Sequence, residues 1–322
     1  MPVIENPQYS HPHLMFNGHM QTVLPAIFRN PKRLAFDRER ISTPDGDFLD
    51  LDWLSADRKQ LVIISHGLEE NSQRPYMAGM AKVFFDNGFD VVNWNFRGCS
   101  GEMNKKPVFY HSGATYDLGT VVSHVHRKYD HLYLIGFSLG GNLTLKYLGE
   151  NHGTQQAKIR KAVTISVPLD LASSSQLLSS RENRLYSLNF LISLKQKIRQ
   201  KSLIFPELIN AKRLKVISTI IGFDDHYTAP LHGFINAEDY YQQCSSLFIL
   251  EKIKIPTLIL NAENDPFLSQ TCYPKTLGSQ MEMIYMEFPK HGGHVGFCPR
   301  SRKERYWSEK RAIEFIQMKN YS

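Results

Sequence analysis

The chain carries Gly136-Phe137-Ser138-Leu139-Gly140 between a short apolar run at 132–135 and a helix-like segment at 141–148. The five-letter pattern alone is common; its context is what constrains the fold. A buried strand that turns sharply into a helix holds Ser138 in a strained backbone conformation, and glycine on both sides lets that turn close without clashes. The turn lifts the serine hydroxyl clear of the main chain and makes Ser138 a candidate nucleophile.

Apolar runs at 61–65, 91–96, 132–137, 162–167, 257–262 and 283–288 read as further strands, and residues 76–87 and 116–129 have helical length. This alternation predicts the α/β class, with a mostly parallel sheet flanked by helices on both faces. Residues 34–43 and 48–54 flank Pro44-Asp45-Gly46-Asp47 and read as an antiparallel hairpin at the sheet edge. Residues 303–317 read as a closing helix. The alternation breaks between 170 and 246, where helical segments at 185–201 and 208–219 replace strands, as expected of a helical cap inserted after the sixth strand. The 322 residues therefore read as one domain, 1–322, with an inserted lid at 170–246.

Charge and cysteine content narrow the function classes. The net charge is +7, and Lys195, Lys197, Arg199, Lys201, Lys212, Arg213 and Lys215 stand against Glu207 alone within one stretch of the lid. A nucleic-acid binder spreads basic residues over a groove-facing element with interleaved aromatics, so no nucleic-acid partner is expected. Two readings of the cluster stay open: a solvated helix face, or an interfacial patch drawn to anionic membrane. Cys99, Cys244, Cys272 and Cys298 lack metal-ligand or C-x-x-C spacing and read as free thiols; no metal is expected. With neither a secretory signal nor a membrane-spanning run legible, a cytoplasmic chain is expected, peripheral to membrane if the basic patch is interfacial.

Acyl transfer to a serine needs a base, a group that orients the base, and donors for the oxyanion. Asp265, in Glu263-Asn264-Asp265-Pro266 after the strand at 257–262, is the candidate acid, with Glu263 the weaker rival. His294, in Gly292-Gly293-His294-Val295-Gly296, is the candidate base, with His291 its rival. The order Ser138, Asp265, His294 suits a nucleophile elbow at the carboxyl edge of a sheet. Backbone N–H groups of Leu139, at a helix N-terminus, and Leu68, in His66-Gly67-Leu68-Glu69-Glu70, are the expected oxyanion donors. His66 is expected to hold that loop rather than act as a second base. Glu69 and Glu70 would oppose an oxyanion, so both are expected to point away or to cap the next helix. Arg97 reads as a tie between loops, with binding of an anionic head group as the alternative. Cys99 lies near the site without a base of its own.

The sequence resembles the YheT-like branch of the α/β-hydrolases. The matching segments are Gly18-His19-Met20-Gln21-Thr22, His66-Gly67-Leu68-Glu69, Asn95-Phe96-Arg97-Gly98-Cys99-Ser100-Gly101-Glu102 and Tyr110-His111-Ser112-Gly113. Further matches are Gly136-Phe137-Ser138-Leu139-Gly140-Gly141-Asn142, Phe223-Asp224-Asp225, Tyr240-Tyr241, Asn261-Ala262-Glu263-Asn264-Asp265-Pro266 and Gly292-Gly293-His294-Val295-Gly296-Phe297. The resemblance implies the α/β-hydrolase fold and a serine hydrolase of carboxylic esters with Ser138, Asp265 and His294 as its triad. It implies substrates among short- or medium-chain acyl esters and acylglycerol-type lipids, and no cofactor. The family usually has Gly where this chain has Glu70, which bears on the width and charge of the oxyanion loop. Acyl transfer or thioester cleavage by the same triad is the alternative reading, and a non-catalytic binding protein on this fold a further one.

Overall fold

The computed structural model describes residues 3–4, 8–31, 34–150, 153–301 and 304–318. Nine strands form one sheet in the order β1-β9-β8-β7-β6-β4-β5-β3-β2. In chain order these are β1 (Val3–Ile4), β2 (Asp37–Ser42), β3 (Phe48–Leu54), β4 (Gln60–Ser65), β5 (Asp90–Trp94), β6 (His131–Phe137), β7 (Ile159–Ile165), β8 (Thr257–Leu260) and β9 (Ile284–Glu287). β2 pairs antiparallel with β3, and β3 antiparallel with β5; every other neighbouring pair is parallel. The hairpin and all six other strands read from sequence are present. The two-residue β1, paired with β9, is too short to leave a periodic signal.

Strand composition explains the layering. Buried parallel strands need apolar residues on both faces. In β4, Leu61 and Ile63 face one core while Val62 and Ile64 face the other; in β6, Leu132 and Leu134 oppose Tyr133 and Ile135. The first core is closed by α3 (Thr115–Val125) and α4 (Leu139–Gly149), the second by α2 (Pro75–Asp86) and α11 (Trp307–Gln317). The closing helix thus starts later than the sequence suggests, and Lys303, where it was expected to begin, lies outside the described residues. At the hairpin, Arg40 faces Asp50 and Arg38 faces Asp52 in register, each as a two-bonded ion pair. Such cross-strand pairs pin the register of an edge strand.

Between β7 and β8 the chain builds only helices, after the sixth strand counted from the hairpin. They are α5 (Leu171–Leu178), α6 (Arg184–Ile204), α7 (Ile220–Phe223), α8 (Ala229–Leu231) and α9 (Ala237–Cys244). A π-helical turn, Asp224–Thr228, joins α7 to α8. The helix expected at 208–219 does not form. Asn210 caps a short 3-10 turn, Ala211–Lys215, and Thr219 caps α7, so two N-cap residues break the segment into separate starts. Helix α1 (Gly18–Phe28) lies in front of the carboxyl edge, and α10 (Lys275–Gly278) is a single turn before β9. No described helix is long and apolar enough to cross a membrane.

Candidate active site

Ser138 joins β6 to α4 with φ 51° and ψ −120°, a left-handed conformation that a non-glycine residue adopts only under constraint. Its N–H donates to the Ile165 carbonyl at 2.9 Å, and its own carbonyl accepts Gly141 N–H at 2.9 Å. Two glycines are required sterically. A Cβ on Gly136 would strike the Gly140 carbonyl, and one on Gly140 would strike the main chain of β4 at Ser65 and the following His66. The elbow is therefore packed directly on the central strand.

The structure brings three of the sequence-selected side chains together. Ser138 Oγ lies 3.0 Å from His294 Nε2, and His294 Nδ1 lies 2.8 Å from Asp265 Oδ2. The remaining Asp265 oxygen, Oδ1, accepts Phe267 N–H at 2.9 Å. The carboxylate acceptor puts the imidazole proton on Nδ1, leaving Nε2 to accept from the serine. The two rivals lie elsewhere: Glu263 pairs with Lys275, and His291 stacks on His11.

The loop carrying His294 is held from α1, a role that the sequence of residues 18–22 does not signal. Gln21 Oε1 accepts Gly292 N–H at 2.7 Å and Asn264 Nδ2–H at 3.0 Å; Thr22 Oγ1 accepts His294 N–H at 2.9 Å. Ser166 Oγ accepts Val295 N–H at 2.9 Å. Gly293, at φ 58°, passes so close to α1 that a Cβ there would lie 2.7 Å from the Gln21 carbonyl carbon. Glu69, Ser138, Ser166, Val295 and Phe297 all have positive φ. Backbone strain worth ~1–3 kcal/mol per residue is thus concentrated around Ser138 and the loops that face it.

In the loop His66–Glu70, most main-chain donors are already used. Gly67 N–H goes to Tyr76 Oη at 3.0 Å, Glu69 N–H to Tyr110 Oη at 2.8 Å and Glu70 N–H to Gly67 O at 3.4 Å. Among the described residues, Leu68 N–H has no internal acceptor. Leu139 N–H belongs to the open first turn of α4. His66 is fully buried: its Nδ1–H donates to Gly67 O at 2.7 Å and its Nε2 accepts Phe96 N–H at 3.1 Å. Burial lowers its pKa to about 3, so it stays neutral and holds the loop.

A family model described as the alpha/beta hydrolase fold matches residues 60–298. The chain is 36% identical over 309 residues to the putative esterase YheT of Escherichia coli, covering 93% of this chain and 90% of that one. The chain is a YheT-like α/β hydrolase. It is also similar to the monoacylglycerol lipase of Saccharomyces cerevisiae, at 29% identity over 93% of this chain and 66% of that protein. Among solved structures, an esterase of Pyrococcus furiosus shares the fold with a TM-score of 0.59 and 16% identity, covering 96% of this chain and 98% of that one.

In this YheT-like hydrolase Ser138 and His294 stand where two cavities meet. One runs under the helices of 170–246 and is walled mainly by apolar side chains such as Leu171, Leu178, Leu194 and Ile220. The other runs between α1 and α6 past Val23, Ile27, Tyr186 and Asn189. Leu68, Phe190 and Phe267 border both. Val23 and Ile27, which line the second cavity, are 36% and 65% exposed, and Leu185 and Ile192 elsewhere on α6 are 81% and 65% exposed.

The charged residues around the site sort themselves by partner. Arg97 is buried and pairs with Asp117 at 2.7 Å, Asp45 at 2.6 Å and Asp47 at 3.3 Å, tying the hairpin turn to α3. Glu70 pairs with Arg74 at the start of α2. Glu69 is enclosed against Lys197 and Tyr110 and caps no helix. Burial pushes the Cys99 thiol up to about 12, which leaves it protonated and a poor nucleophile. The basic cluster divides. Lys197 and Lys201 point inward and are buried, and Lys195 donates to Ile217 O at 2.6 Å, while Arg199, Lys212, Arg213 and Lys215 are exposed. No group of three or more His, Cys, Asp or Glu among the described residues is arranged to hold a metal.

Proposed function

We propose that this chain is a serine hydrolase of carboxylic esters that works through an acyl-enzyme on Ser138. The observation that carries this reading is the continuous relay from Ser138 Oγ through His294 to Asp265, at 3.0 and 2.8 Å, placed where the two cavities meet. Family membership and the names of the relatives, esterase and monoacylglycerol lipase, support it.

Ser138 Oγ attacks the ester carbonyl as its proton passes to His294 Nε2, and Asp265 stabilises the imidazolium that forms. The oxyanion is met by the N–H groups of Leu68 and Leu139, the latter aided by the helix dipole. The tetrahedral intermediate collapses as His294 returns the proton to the leaving alkoxide. Water, deprotonated by the same imidazole, then attacks the acyl-enzyme and releases the acid. The apolar cavity under the lid suits the acyl chain, since small-molecule sites are mainly apolar with few convergent polar groups. The cavity between α1 and α6 then takes the alcohol portion. Its exposed apolar rim, with Arg199 further along α6, suits contact with an anionic lipid surface from which an acylglycerol-type substrate is drawn.

The test is hydrolysis of p-nitrophenyl esters from acetyl to palmitoyl, with Ser138→Ala and Asp265→Asn as controls. Ser138→Ala should abolish turnover and fluorophosphonate labelling, and Asp265→Asn should lower kcat by about 10⁴-fold through the wrong imidazole tautomer. Undiminished turnover in Ser138→Ala would sink the reading.

A further inference from the structure

The basic cluster of 170–246 contains one side chain that the mechanism above leaves unexplained. Lys197 sits on the inner face of α6, 128 residues from Glu69 in the chain, yet its Nζ lies 2.7 Å from Glu69 Oε1. Both side chains are almost wholly enclosed, at 6% and 8% exposure. The same carboxylate oxygen accepts Tyr110 Oη–H at 2.7 Å, and Tyr110 Oη accepts Glu69 N–H at 2.8 Å. Lys197 Nζ also stands 4.7 Å from the Tyr110 ring centroid and 3.4 Å from Cys99 Sγ. The Cys99 thiol is neutral, and Glu70 is matched by Arg74. Among the described residues, Lys197 is the cation paired with Glu69.

Glu69 follows directly on Leu68, whose N–H has no internal acceptor. An uncompensated carboxylate at that position, shielded from water, would act at close range against any negative charge gathering at the Leu68 N–H. The same enclosure makes a bare carboxylate costly in the free protein. The ammonium on α6 removes both effects.

We propose that Lys197 is a positioning residue of the oxyanion site: carried in by α6, it neutralises Glu69, anchors the loop that presents Leu68 N–H, and so makes the segment 170–246 part of the chemistry as well as a roof over it. This rests on the ester-hydrolase reading.

The experiment compares wild type, Lys197→Met, Glu69→Gln and the double variant, reading p-nitrophenyl ester kinetics and the rate of fluorophosphonate labelling per folded molecule. Lys197→Met is expected to lower kcat by roughly 10–100-fold, somewhat less than loss of a whole oxyanion donor, with KM within about twofold. The double variant, which removes the bare carboxylate, is expected to regain most of that loss. A tether with no electrostatic role predicts the opposite, because the double variant is equally untethered. Should Lys197→Met fail to fold, Lys197→Gln keeps an amide donor for Glu69 without the charge, and the same loss and the same rescue are expected. Wild-type kcat in the charge-removing variant, or a double variant as slow as the single, overturns the assignment of Lys197 while leaving the hydrolase reading intact. Wild type inert to both probes overturns the two together.

Discussion

Gln21 and Gly292, 271 residues apart in the chain, are joined by a 2.7 Å hydrogen bond from the glycine N–H to the side-chain Oε1. Gln21 is fully buried on α1, and the same oxygen accepts from Asn264, the residue before Asp265. One side chain thus braces both loops that bring Asp265 and His294 to Ser138.

Gln21→Ala should therefore damage rate more than binding. It strands the buried Gly292 N–H, at about 1–3 kcal/mol of stability. It also lets the His294 loop drift, for which a loss of about tenfold in kcat with little change in KM is expected. Steady-state kinetics with active-site titration checks this; unchanged kcat per active site would show that the loop holds its place without α1.

Gly140→Ala should be among the most destructive single-methyl changes in the chain. The added Cβ meets main-chain oxygens of Ser65 and His66, and the central strand cannot give way. A destabilisation of about 3 kcal/mol or more, or failure to fold, is expected in denaturant unfolding. Gly101→Ala is the contrast: it has φ 99° but nothing within 4 Å, so only a conformational cost of roughly 1–2 kcal/mol applies.

Asp224 predicts a pH-dependent stability. It opens the π-helical turn, lines the cavity under the helices of 170–246, and accepts from Thr228 Oγ1 and Tyr241 Oη, both at 2.6 Å. Burial nevertheless pushes its carboxyl from the ordinary 3.8 up to about 6. Between about pH 4 and 6 the folded chain therefore binds more protons at this site than the unfolded chain, and its stability falls as pH rises. Asp224→Asn removes that loss. Its stability relative to wild type should climb by roughly 1–3 kcal/mol from pH 4 to 7. Melting curves at both pH values decide it, and a constant difference would rule Asp224 out as the source.

Residues whose partners lie close in sequence, or at strand ends, were legible from the chain alone. The G-x-S-x-G turn is local: its glycines are needed because the strand and helix it joins are only residues apart. The order Ser138, Asp265, His294 follows from which strand ends in which loop. The helix over Arg184–Ile204 was visible in outline, but its facing was not. Lys197 and Lys201, four residues apart, share the face with Leu194 and Ile198 that packs inward, whereas Arg199 lies on the opposite side. A helix of mixed lysines and aliphatics carries no signal of which lysine has a buried carboxylate waiting for it.

The alternation of apolar strands and helices determined the layered sheet, because each strand must bury both faces and each helix one. The chain order also set the candidate nucleophile, acid and base. What only the tertiary structure decided are contacts between segments distant in sequence: α1 against the His294 loop through Gln21 and Thr22, and α6 against the Leu68 loop through Lys197 and Glu69. The physical reason is the range of the interactions. Propensity, turn strain and period act over a few residues, whereas a buried hydrogen bond or ion pair is defined by two surfaces that exist only once the chain has folded.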